Sequence, residues 1–348
     1  MKVVIKVGTS SLADKNGFLN KKYIEDFVRS IAELKKDGTQ IIIVSSGAIG
    51  AGAGKLKIRS KPKTLRQKQA LAAVGQPIIM NAYSENFEKF GINTAQVLIT
   101  RTDFDERAKY LNAKNTLSEL LRVEVIPIIN ENDTVAVEEI NFGDNDTLGA
   151  IVAAAAAADI LIIFTDVDGL YAGEPKRSQL IQKVEQITPQ IEAFASGKSS
   201  SGKGRGGMKT KITAAKIAAA SGIETMIINS AKHNLIKEII RTKTGGTWFC
   251  ANGRKLDAKK SWIAYGKKPK GIIFVDKKAS EAIKNKGVSL LAAGIVGISG
   301  NFKAGDTIVI AANEGKQEIG RGLTNFDSTD IETIKGKKTA EIKKLLPG

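Results

Sequence analysis

Val3-Val4-Ile5-Lys6-Val7-Gly8-Thr9-Ser10-Ser11, at positions 3–11, sets the architecture of this chain. Five residues of mostly β-branched character predict a buried strand, and the glycine and hydroxyl residues after it predict a tight loop. Downstream, Ile24, Phe27, Val28, Ile31 and Leu34 recur at helical spacing, so the local order is strand, loop, helix. The unit then repeats. Gln40–Val44 is a second apolar run ending in Ser45-Ser46-Gly47-Ala48-Ile49-Gly50, followed by a long helical region through residues 67–90. Residues 94–98, 125–129, 160–165 and 225–229 predict further strands separated by helical segments. Strands alternating with helices imply an α/β fold, a mostly parallel sheet sandwiched by helices, with ligands beyond the carboxyl ends of the strands.

Composition narrows the chemistry. A chain of 348 residues suits two domains better than one core. With 42% hydrophobic and 26% charged residues it can form packed cores, which excludes collagen-like and disordered classes. Cys250 is the single cysteine and His233 the single histidine, so neither an internal disulfide nor a Cys/His zinc site can form. Any acid–base chemistry must then rest on Asp, Glu and Lys. The first residues contain no apolar run suited to a secretory leader, which places the protein in the cytoplasm as an expectation. Residues 148–164 are apolar but alanine-rich and interrupted by Asp159, so a buried helix entering a buried strand is expected there, with no membrane span.

The formal net charge is +17. Residues 255–348 carry 18 Lys and Arg against 10 Asp and Glu, denser positive charge than the rest of the chain. Such a surface attracts polyanions, either RNA or phosphorylated metabolites, or it is plain lysine bias. After about Lys243 the pattern changes to short β-rich pieces (271–275, 307–311) punctuated by glycines. A compact β-barrel-like unit is expected there, with a boundary between Gly245 and Lys260.

The loops after the strands carry the chemistry. Lys6-Val7-Gly8-Thr9-Ser10 brings an ammonium and backbone N–H groups to a strand end, a geometry for phosphate; a solvated lysine on an edge strand is the rival. Ser45-Ser46-Gly47-Ala48 offers small amides and hydroxyls for a carboxylate or phosphate, and a helix N-cap explains Ser46 equally well. Asn130-Glu131-Asn132-Asp133 and Gly143-Asp144-Asn145-Asp146 are acidic, amide-rich loops suited to a free amino group, or simply hydrophilic turns. Thr165-Asp166-Val167-Asp168-Gly169-Leu170-Tyr171 ends the fifth strand where a nucleotide base or ribose would sit. Residues 196–207, rich in glycine and serine, read as a low-complexity and mobile segment. It leads through Gly204-Arg205-Gly206-Gly207-Met208-Lys209-Thr210-Lys211 into an alanine-rich helix, as an anion cradle or a linker.

Six motifs in this order, K-V-G-T-S at 6–10, V-S-S-G-A-I at 44–49, N-E-N-D at 130–133, F-G-D-N-D at 142–146, T-D-V-D-G-L-Y at 165–171 and G-G-M-K-T-K at 206–211, resemble the amino acid kinase family. Residues 289–295 and 300–302 are similar to the PUA domain appended to many such enzymes. The resemblance implies a kinase domain over 1–250 and a PUA domain over 260–348. Within the family the motifs look like those of the members that phosphorylate the γ-carboxylate of free L-glutamate with ATP, the first step of proline biosynthesis. It further implies Lys6 and Lys211 as a cationic clamp oriented by Asp146, and Ser46, Asp133 and Asn145 as the glutamate site. Lys6, Gly8, Ser10, Thr165, Asp166 and the run Arg205, Gly206, Gly207, Met208, Lys209, Thr210, Lys211 would hold ATP. Arg205 departs from the pattern, which has a small residue there. Mg2+ would arrive on ATP, with no protein ligand nominated. L-proline as feedback inhibitor, a homo-oligomer, handover to the next pathway enzyme and RNA binding by the PUA domain are further expectations. The alternatives are a sister kinase acting on N-acetylglutamate, aspartate, carbamate or a nucleoside monophosphate, and an RNA-binding or RNA-modifying protein.

Overall fold

The computed structural model describes residues 1–14, 18–136, 145–173, 178–195, 207–251, 269–286, 288–312, 317–337 and 341–342. The chain divides into two units, Met1–Ala258 and Lys259–Gly348.

The first unit is built on β1 (Lys2–Val7), β2 (Gln40–Val44), β3 (Thr94–Ile99), β4 (Ile126–Glu131), β5 (Ile160–Thr165), β6 (Lys183–Val184), β7 (Glu224–Asn229) and β8 (Thr247–Phe249). They form one sheet in the order β3-β4-β2-β1-β5-β7-β8-β6. From β3 to β7 every pairing is parallel, while β8 runs antiparallel to β7. The residues of β1, β4 and β5 are almost all buried, as expected of strands covered by helices on both faces. The large core gathers Val3, Ile5, Ile43 and Ile162 from the sheet with Phe27, Tyr83 and Phe87 from the helices.

The mostly parallel sheet matches the sequence expectation, and β2 and β5 coincide with it residue for residue. At the far edge, residues 247–249 join the large sheet as β8, a strand not among those expected from the sequence. A three-residue strand is too short to show a period, and its membership is decided by pairing with β7.

Chain order around β1 places the site. After β1 the chain moves to β2, β4 and β3 on one side, and the connection to β5 crosses to the other side. The crevice beyond the carboxyl ends of β1 and β5 is therefore the switch point of this sheet. The crossover carries the helix Asn145–Ala156, in which only Ala154 is not buried. Gly149 faces β1, where an added Cβ would make ordinary contact with Lys6 Cβ at 3.4 Å. Among the described residues no helix is long and apolar enough to cross a membrane.

Beyond β2, the helices Ala48–Lys55 and Leu65–Glu88 cross through Gly52 and Gly75. A Cβ on Gly75 would fall 1.8 Å from the Ala48 carbonyl, and one on Gly52 1.9 Å from that of Leu71. Gly47, ahead of the first helix, has φ +94°, a conformation glycine adopts without cost. Thr64 caps the longer helix through a reciprocal bond pattern with Gln67.

The second unit holds β9 (Gly271–Val275), β10 (Ile295–Gly300), β11 (Thr307–Ala312) and β12 (Gln317–Leu323), ordered β10-β9-β11-β12. β9 and β11 are parallel and both edges are antiparallel. Its separate core joins Ile273, Val275, Ile308 and Ile310 with Phe302 and with Ile331 of the helix Ser328–Ile334.

Candidate active site

Lys6, one residue before the end of β1, pairs with Asp146 in the first turn of the crossover helix. Lys211, in the first turn of the helix Met208–Ala220, reaches the same carboxylate, Nζ to Oδ2 at 2.9 Å. Thr210 Oγ1 lies 3.0 Å from Asp146 Oδ2 and 2.8 Å from the Gly207 carbonyl. Asp146 is fully buried and both lysines are 6% exposed.

Burial alone would push the Asp146 carboxyl up; the Lys6 and Lys211 charges outweigh it and hold the carboxyl well below the usual carboxylate range. Two ammonium groups on one carboxylate leave a surplus positive charge at the switch point. A cation in a helix's first turn also opposes the helix dipole, so Lys211 adds to a field that favours an incoming anion. The rival reading of Lys6 as a solvated edge lysine is excluded, because β1 is central and Lys6 is buried.

Beside this charged cluster runs a chain of neutral amides. The two hydrogens of Asn145 Nδ2 are shared among three acceptors, the Ser45 carbonyl, Ser46 Oγ at 2.8 Å and Asn130 Oδ1 at 3.0 Å. Asn130 Nδ2 donates to Gln76 Oε1 at 2.8 Å, and Gln76 Nε2 donates to Gln96 Oε1 at 2.9 Å. Ser46 is buried and does not cap the following helix, whose N-cap is Gly47 with no side-chain bond. Ser45 Oγ donates to Tyr83 OH at 3.3 Å, and burial pushes that phenol above its ordinary value. Asp133 is partly exposed in the turn after β4.

On the opposite side of β1, Gly8 is buried and Ser10 partly exposed, and a Cβ on Gly8 would stand 3.5 Å from Lys6 Nζ. Thr165 is buried at the end of β5, while Asp166 is exposed and accepts from Thr165 Oγ1 at 3.1 Å. Gly207, Met208 and Thr210 are partly exposed and Lys209 is exposed at the helix start. Arg205 and Gly206, with Phe142, Gly143 and Asp144 and the glycine- and serine-rich stretch 196–206, lie outside the described residues. Among the described residues no group of three or more His, Cys, Asp or Glu side chains is placed to hold a metal.

Sequence reasoning missed Asn130 as a partner of Asn145 and Gln76 as the partner of Asn130. Asn130 sits in a motif that reads as an acidic loop, while Gln76 is a helical residue with no motif around it. The one available signal was Gly75-Gln76-Pro77 inside a helical pattern, since an interior glycine points to a close approach. His233 takes no part in this cluster: its Nδ1 is 3.2 Å from Ser30 Oγ and its ring packs on Tyr23 and Phe27.

Residues 1–229 match the family model described as the amino acid kinase family, and residues 271–346 match the PUA domain. A glutamate 5-kinase of Caldanaerobacter subterraneus subsp. tengcongensis is 46% identical over 99% of this chain and 93% of its own length. One from Moorella thermoacetica is 44% identical over 99% of this chain and 92% of its own. Among solved structures, carbamate kinase from Giardia lamblia bound to AMP-PNP aligns with a TM-score of 0.53 at 17% identity. It covers 72% of this chain and 98% of that one, a likeness of fold.

Proposed function

The chain belongs to the amino acid kinase family, and on that premise we propose that it transfers the γ-phosphoryl group of ATP to the γ-carboxylate of L-glutamate. The products are ADP and L-glutamyl 5-phosphate, the opening step of proline biosynthesis. The observation that carries this reading is the buried Lys6–Asp146–Lys211 cluster at the switch point of the sheet.

Phosphoryl transfer asks a protein for position and charge stabilisation more than for covalent chemistry. A carboxylate nucleophile is already ionised near neutrality, so no general base is required. Lys6 and Lys211 face the charge that spreads over the transferring oxygens, and Asp146 keeps the two ammonium groups at fixed positions. The amides and hydroxyls of Ser46 and Asn145, with the Asp133 carboxylate, hold the acceptor, the acidic group meeting the α-ammonium. Gly8 and Ser10 approach the phosphates, and Thr165, Asp166 and residues 205–211 take the rest of the nucleotide.

Mg2+ would arrive on ATP, held by phosphate oxygens and water, and would neutralise charge on the phosphates that Lys6 and Lys211 face. The kinase domain spans 1–250 and the PUA domain 260–348, and the enzyme works in the cytoplasm. Proline carries the same α-carboxylate and α-nitrogen as glutamate and competes for the acceptor site.

The test is ADP release by purified protein with ATP and Mg2+, with and without L-glutamate. Glutamate-dependent turnover is expected, with a glutamyl hydroxamate when hydroxylamine is present and little turnover with N-acetylglutamate. Equal turnover with N-acetylglutamate would defeat the assignment. Inhibition by proline should be relieved by added glutamate.

A further inference from the structure

We propose that Gln76 is a positioning residue that steadies the Asn130 amide behind Asn145, the residue offered to the acceptor substrate. The inference rests on the function proposed above only for the identity of that substrate.

The argument starts from one backbone group. The Glu131 N–H can only donate, and it lies 2.9 Å from the Asn130 side chain, so the atom facing it is Oδ1. Asn130 Nδ2 must then face Gln76, which is possible only while Gln76 turns Oε1 toward it. Gln76 Nε2 is left for Gln96 Oε1. In the other direction, the same Asn130 Oδ1 accepts from Asn145 Nδ2, and the Ser45 carbonyl also demands a donor there. The donors of Asn145 are thus committed to the protein, and its Oδ1 remains as an acceptor. An acceptor at that residue suits an ammonium.

The Glu131 N–H sets the direction of the Asn130 amide, and Gln76 holds the other end of that amide in place. Its neighbour Gly75 lets the helix Leu65–Glu88 lie close against the helix Ala48–Lys55, and Gln76 itself is 9% exposed. Without an acceptor at position 76, Asn130 Nδ2 would be a buried donor with nothing opposite. Turning would set Asn130 Nδ2 against the Glu131 N–H and the Asn145 NH2, so the amide would instead shift toward another acceptor and loosen its hold on Asn145. Gln96 is exposed at the far end of the chain and free to turn either way.

Two variants separate position from mere packing. Gln76→Leu keeps the volume and removes the acceptor. Gln76→Glu keeps an acceptor oxygen toward Asn130, and Gln96 can turn its NH2 toward the other oxygen. Gln76→Leu should raise the glutamate KM on the order of tenfold, with kcat and the ATP KM changed by less than about twofold. Gln76→Glu should restore most of the loss. Equal shifts in both KM values, or a Gln76→Glu protein as impaired as Gln76→Leu, would overturn the proposal.

A second readout does not depend on turnover. In protein labelled with 15N-asparagine, the side-chain NH2 signals of Asn130 and Asn145 should exchange slowly with solvent in the parent and in Gln76→Glu. They should exchange faster in Gln76→Leu. Unchanged exchange in folded Gln76→Leu defeats the positioning role even if glutamate is the wrong substrate. Failure of the parent to turn over glutamate, with the exchange pattern as expected, defeats only the substrate assignment.

Discussion

The two sides of the site hold their residues by different forces. On the side proposed for phosphoryl transfer one buried carboxylate is shared by two ammonium groups, so placement depends on charge. On the side proposed for the acceptor Asn145, Asn130 and Gln76 form a chain of neutral dipoles, so placement depends on which atom of each amide donates. Charge is strong and indifferent to direction; an amide chain is weak and directional. The first suits a transition state whose charge is spread over several oxygens, and the second suits recognition of one substrate among similar ones.

Breaking the charged side should have the larger consequences. Asp146→Asn leaves two buried ammonium groups facing a neutral partner, and a loss of about 3–5 kcal/mol of folding stability is expected. Chemical denaturation will measure it. The sign of the acid response follows from the lowered carboxyl. A group with a depressed native pKa stabilises the fold above its unfolded value, about 4, and that contribution fades as pH falls below it. The parent should therefore lose stability on acidification more steeply than Asp146→Asn. Parallel acid curves would show that the pair contributes nothing to the fold.

Lys211→Met comes next. It removes a charge that acts most strongly in the transition state, so kcat should fall about 100-fold, equal to about 2.7 kcal/mol. The glutamate KM should move much less. A folded Lys211→Met protein with near-normal kcat would leave the phosphoryl side resting on Lys6 alone.

Asn145→Ala probes the neutral side. It removes the donor for Asn130 Oδ1 and Ser46 Oγ together with the substrate-facing acceptor, and the glutamate KM should rise about 30-fold, or about 2 kcal/mol. The effect should be read in KM with kcat nearly preserved. The opposite split would merge the two sides into one machine.

The same contrast explains what could be read in advance. β-branched runs announce β1, β2 and β5, because strands buried on both faces are continuously apolar. β6 and β8 are two and three residues long and escape any periodicity argument. Lys6, Asp146 and Lys211 stand in motifs because a buried charge needs glycine, helix termini and an opposite charge around it, which leaves a trace in local sequence. The amide chain leaves none. Gln76 is one polar residue on a long helix and Gln96 one in a strand, and their significance arises only when Gly52 and Gly75 bring two helices into contact. Interactions made by tertiary approach are silent in a single sequence.

The smallest expected effect belongs to Thr210, which tests whether the charged side tolerates the loss of a neutral member. Its hydroxyl has one hydrogen and two acceptors within reach, Asp146 Oδ2 at 3.0 Å and the Gly207 carbonyl at 2.8 Å. It therefore ties the start of the nucleotide-side helix to the carboxylate that holds both lysines. Thr210→Val keeps the shape and removes the hydrogen, while Lys6 and Lys211 still satisfy Asp146. The loss should be that of one ordinary hydrogen bond, about 1 kcal/mol, appearing as a roughly fivefold fall in kcat/KM for ATP. Thr210→Ser should recover it, and the glutamate KM should stay where it was. A fall as deep as that of Lys211→Met would mean that the hydroxyl touches the transferring group itself. A shift in the glutamate KM would mean that the hydroxyl reaches across to the amide chain, and that charge and dipole placement are not separable in this enzyme.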